Sequence, residues 1–97
     1  MKYIVIQLIF SIDNVRELPF VFPDVVVHKD MADSMVGILK AQFPSAAIKP
    51  VAAGFLSSMT FNEDCCNGKS ISLHLNSRGK QDSRLLMGMD YFHGIVS

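Results

Sequence analysis

The sequence predicts an α+β domain, a two-layer sandwich in which a small, mostly antiparallel sheet of three to four strands packs on two helices. Three observations predict it. Lys2 to Phe10 is a nine-residue run rich in Ile and Val and apolar on both faces, the pattern of a central strand. Between His28 and Phe43 the apolar residues recur at helical spacing. From Ser70 to Asn76 the chain alternates, with Ile71, Leu73 and Leu75 facing one way and Ser70, Ser72, His74 and Asn76 the other, as in a strand with one wet face.

The elements follow in order. After the first strand, Ser11 to Asp24 holds Pro19 and Pro23 around Phe20, Val21 and Phe22, which predicts a loop with at most a short edge strand. Val25 to Val27 lead into the first helix. Its apolar face carries His28, Met31, Ala32, Met35, Val36, Ile38, Leu39 and Phe43; Asp30 and Asp33 suit its positive end, and Pro44 ends it by pushing Phe43 out of the helical region. Ala46 to Phe61 is extended, with Pro50 at an edge or bend and Gly54 as a candidate bulge. Asn67-Gly68 resembles a two-residue hairpin turn, but that register sets Leu73 opposite Asn62 and scrambles the core. A longer loop or bulge around 62–69, with Phe61 opposite Ile71 or Leu73, is expected instead. The second helix carries Leu85, Leu86, Met89 and Phe92 at helical spacing, with Asp82 as N-cap, His93 near its negative end and Gly94 as its stop.

A chain of 97 residues makes one domain, 1–97, large enough to bury roughly two-thirds of its surface. With 49% hydrophobic and 19% charged residues it is not a disordered chain, and no apolar run is long enough to span a membrane. The start, MKYIVIQLIFS, imitates a signal peptide, yet Gln7 interrupts it and no small-residue cleavage site precedes Asp13, Arg16 and Glu17. Nine cations balance nine anions, so no global field draws the chain to nucleic acid or to acidic membranes. Cys65 and Cys66 are neighbours too close in the chain for an ordinary disulfide, so two free thiols and a cytoplasmic location are expected.

Enzymatic patterns are incomplete. Gly68-Lys69-Ser70 matches the tail of a phosphate-binding P-loop, but Glu63 stands where its first glycine belongs. Adjacent cysteines converge poorly on a metal, and Glu63 and Asp64 beside them disfavour a thiolate nucleophile with His74 as base. Asp13 with Glu17, and Glu63 with Asp64, sit in polar segments where solvation keeps carboxylates ordinary. No catalytic residue, metal ligand or cofactor motif is assigned. One charge bias remains: Lys69, Arg78, Lys80 and Arg84 face only Asp82, and Arg78, Lys80 and the free amides of the second helix are candidates for holding an anion.

The segments PVAAGFLSS (50–58) and CNGKSISLHLNSRGKQDSRLL (66–86) resemble small uncharacterised proteins of bacteriophages and prophages. The resemblance implies a small cytosolic accessory protein of a mobile element and transfers no site residue. Two helices offer little cover for a sheet whose first strand is apolar on both sides, so self-association as a two-fold dimer is expected. The expected function is therefore a non-enzymatic interaction protein with a possible protein partner. The alternative is an anion- or nucleotide-binding domain, or a minor enzyme, using the basic 69–84 region.

Overall fold

The computed structural model describes the backbone of residues 1–58 and 60–96 and the side chains of 1–58 and 60–88. The elements run β1 (Lys2–Ser11), β2 (Asn14–Phe22), α1 (His28–Gln42), β3 (Ala47–Leu56), β4 (Cys66–Asn67), β5 (Lys69–Ser70), β6 (Leu75–Asn76) and α2 (Lys80–Val96). They form an antiparallel four-stranded sheet in the order β2-β1-β3-β4, a separate β5-β6 ribbon and two helices, an α+β fold.

β1 is central, as its two apolar faces require: β2 flanks one side, β3 the other, and Tyr3 to Ile6 are fully buried. The segment expected as a loop is a nine-residue edge strand, β2. A turn at Ile12 and Asp13 folds it onto β1, setting Phe20 beside Ile4 and Leu18 beside Ile6. The sheet's edge tolerates Pro19, whose ring is buried. Along β3 the register steps between Val5–Ala52 and Ile6–Pro50, so the bulge falls at Val51, next to Pro50, and not at Gly54. Gly54 serves a different need: a Cβ there would collide with the Asn67 carbonyl and crowd the Tyr3 ring.

Ser70 to Asn76 is not one strand. β5 and β6 pair across a turn at 71–74, where His74 has φ 55° and Ile71 is 79% exposed. Ser70 Oγ accepts the Leu73 amide at 3.2 Å, a local bond that competes with an extended ladder. Phe61 does not face Ile71 or Leu73; β3 pairs instead with β4, Cys66 opposite Leu56 and Asn67 opposite Phe55. α2 begins at Lys80, with Asp82 as its third residue, and continues through Gly94 to Val96. The expected apolar positions Met89 and Phe92, and His93, have side chains outside the described residues, as does Met59 altogether.

The helices also part company with the expected single helical layer. Ile4, Ile6 and Leu8 of β1 pack with Phe22, Ala53 and the α1 residues Ala32 and Leu39. Tyr3 and Val5 pack with Ala52, Cys65, Cys66 and Leu86 of α2. Successive residues of a strand point to opposite faces, so α1 covers one face of the sheet and α2 the other. One helix per face buries Tyr3 to Ile6 and Leu8 of β1, in place of the uncovered sheet face from which a dimer was expected.

Candidate functional site

The four cations expected to form one anion site do not converge. Arg78 is consumed by carboxylates. Its Nη1 and Nη2 donate to Glu17 at 2.9 and 3.1 Å, and its Nε donates to Asp82 at 2.7 Å. The backbone donors ahead of α2 are taken as well, the Arg78 amide by Asp82 Oδ2 at 2.8 Å and the Gly79 amide by Ser77 Oγ at 3.0 Å. Lys80 and Arg84 are exposed on α2, while Lys69 is on β5, beside Lys2 and the first turn of α1.

Asp82, expected as the N-cap of the second helix, is its third residue, is fully buried and is the hub of this region. Besides Arg78 it accepts the Tyr3 hydroxyl at 2.6 Å, and Tyr3 also meets Ser77 Oγ at 2.6 Å. Burial and the bond to Asp82 push the Tyr3 hydroxyl's pKa up, so it stays a neutral donor. Glu17 is not a loop carboxylate: it projects from β2, also accepts Gln7 at 3.3 Å, and is held below the usual range by its bonds to Arg78. The arrangement is a closed brace between β1, β2 and α2, in which each charge already has its counter-charge.

Cys65 and Cys66 are both free and both buried in the α2-side core, with their sulfurs 4.0 Å apart. Neighbours on a strand point to opposite faces, yet these two thiols share one core. Cys65 precedes β4, so strand alternation does not govern it. Burial pushes the Cys66 thiol up to about 12, against a role as nucleophile. His74 lies in the exposed β5–β6 turn, and among the described residues no three His, Cys, Asp or Glu gather as metal ligands.

Among the described residues, two concavities bear on function. One, of about 340 Å³, lies on the α1 side of the sheet and is lined by Leu8, Phe10, Asn14, Arg16, Leu18 and Phe43. Phe10 and Phe43 meet edge-to-face at 5.5 Å in its wall. Around it Ile12 is 94%, Leu18 36% and Phe43 38% exposed, and β2 closes one side with a strand edge that, among the described residues, pairs with no other strand. The second, of about 280 Å³, is lined by Lys2, Lys69 and residues at the start of α1. The alternation of Leu18, Phe20 and Phe22 was the available signal for β2 and hence for the groove; the two prolines masked it.

Among known proteins, no family, curated protein or solved structure matches the chain. Among the described residues no helix is long and apolar enough to cross a membrane.

Proposed function

We propose that this chain is a small non-enzymatic interaction domain that self-associates as a two-fold dimer through the β2 edge and the adjoining groove. The observation that carries the reading is the meeting of a nine-residue strand edge with an apolar groove containing Leu18 and Phe43. An unpaired edge is a template for another strand, and partly exposed Leu and Phe beside it supply apolar area. A second copy offers the same edge and groove in two-fold orientation, so one contact can satisfy both at once.

The buried, protonated Cys66 thiol and the closed Arg78 brace support a role other than catalysis. The two free thiols support a cytoplasmic setting. The phage-like segments 50–58 and 66–86 support an accessory protein of a mobile element, with a further protein partner as a possible extension of the same surface.

Light scattering coupled to size exclusion, run from micromolar to several hundred micromolar protein, is the test. A mass rising to twice that of the chain is expected. Leu18→Lys places a charge at the edge and returns the protein to monomer with an unchanged far-UV spectrum. A monomer throughout the range refutes the reading, and a dimer indifferent to Leu18→Lys moves the contact away from β2.

A further inference from the structure

We propose that the pocket of about 280 Å³ between the start of β1, the first turn of α1 and the β5–β6 ribbon binds a small amphipathic anion, a carboxylate carried on a single ring or a branched aliphatic body. The proposal is independent of self-association, which uses the other concavity.

The charge of the ligand follows from the lining. Lys2 and Lys69 both contribute, no Asp or Glu does, and among the described residues neither lysine has a carboxylate partner. Lys2 is held in place: its Nζ donates to the Val26 carbonyl at 2.9 Å and lies 6.0 Å from the centre of the Phe55 ring. A second hydrogen-bond acceptor brought by a ligand can use the remaining donors of that ammonium.

The apolar body follows from what the pocket leaves in water. Val27, Phe55 and Ile71 all line it, and all three are among the exposed large apolar residues of the molecule, Ile71 the most open of them at 79%. Covering these side chains removes apolar area from water, which an inorganic anion cannot do. The volume sits just below the ~300–1,000 Å³ of drug-sized sites, which suits a body of one ring.

The walls are built and not accidental. His28 is buried, with one ring nitrogen 2.9 Å from the Gly54 carbonyl and its ring edge-to-face with Phe55 and Phe22 at 5.3 and 5.5 Å. Ser72 Oγ accepts the Lys29 amide at 3.2 Å, pinning the turn that carries Ile71 against α1. Lys69, expected to act with Arg78, acts here with Lys2 from the opposite end of the chain.

Titration of the full-length ¹⁵N-labelled protein tests this with phenylacetate as probe, acetate as a charge without a body, and phenethylamine as a body of the wrong charge. Phenylacetate is expected to shift the amides of Lys2, Val27, His28, Phe55 and Ile71, to bind at least tenfold tighter than either control, and to weaken as salt is raised. Lys69→Gln and Ile71→Ser, both at exposed positions, are each expected to weaken phenylacetate at least fivefold while leaving the melting temperature unchanged. Equal response to acetate and phenylacetate, shifts confined to other residues, or wild-type affinity in both variants overturns the assignment.

Discussion

The two faces of the sheet are built on different physics. The α1 face is sealed by apolar surface: Ile4, Ile6, Leu8, Phe22, Ala32, Leu39 and Ala53 make a core whose order depends on volume and shape. The α2 face has a smaller apolar cluster and adds the Tyr3–Asp82–Arg78–Glu17 brace, whose order depends on every polar atom finding its partner. Among the described residues no buried side-chain nitrogen or oxygen lacks a partner, so the brace is complete. An oily face can close around many helices of the right period, whereas the braced face accepts one placement of α2. Removing a group should therefore cost more on the braced face.

The largest effect is expected from Asp82→Ala. It leaves the Arg78 charge with one carboxylate in place of two and takes the acceptor from Tyr3, a loss of about 3–5 kcal/mol. Chemical denaturation measures it, with α2 amides losing hydrogen-exchange protection before those of β1. Equal early loss of protection on both faces would erase the distinction drawn between them. On the oily face, Leu39→Ala removes a buried side chain from α1 and should cost about 2–3 kcal/mol. A cost above that of Asp82→Ala reverses the ranking.

The smallest effect is the pH dependence, which should belong to the braced face. Burial raises Cys66 from an ordinary 9.0 to about 12, and Tyr3 is raised as well. Above pH 9.0 the unfolded chain ionises at cysteine while the folded chain keeps its proton, so stability is full below that pH and declines as pH rises toward 12. Glu17 works at the other end: held below its ordinary 4.5 by Arg78, it contributes above that pH and loses its contribution as pH falls. Melting temperatures across the range should show Cys66→Ala flattening the alkaline limb and Glu17→Gln the acid limb. A Cys66→Ala profile parallel to the parent above pH 9 would remove that thiol from the account.

Much of the framework was legible before any tertiary contact was known. β1 was visible as an unbroken apolar run of nine residues and α1 because its apolar residues keep one period over fifteen, both long enough to outweigh local exceptions. β2 was hidden because Pro19 and Pro23 are read as breakers, although an edge strand has room for one of them. Ser70–Asn76 misled for the opposite reason: a perfect alternation of seven residues was overridden by the Ser70 side chain bonding its own turn. The basic cluster misled because charge counted along a chain says nothing of where the counter-charges lie. Glu17, 61 residues away from Arg78, took the guanidinium that the sequence offered to a ligand.

The amino-acid order alone settled the α+β class, the central strand and the extent of the first helix, since each depends on an apolar run or a hydrophobic period within a few neighbouring turns or residues. Which side of the sheet each helix covers was decided only in three dimensions. A strand apolar on both sides accepts a helix on either, and the choice falls to contacts such as that between Tyr3 and Asp82, 79 residues apart, which no local pattern encodes.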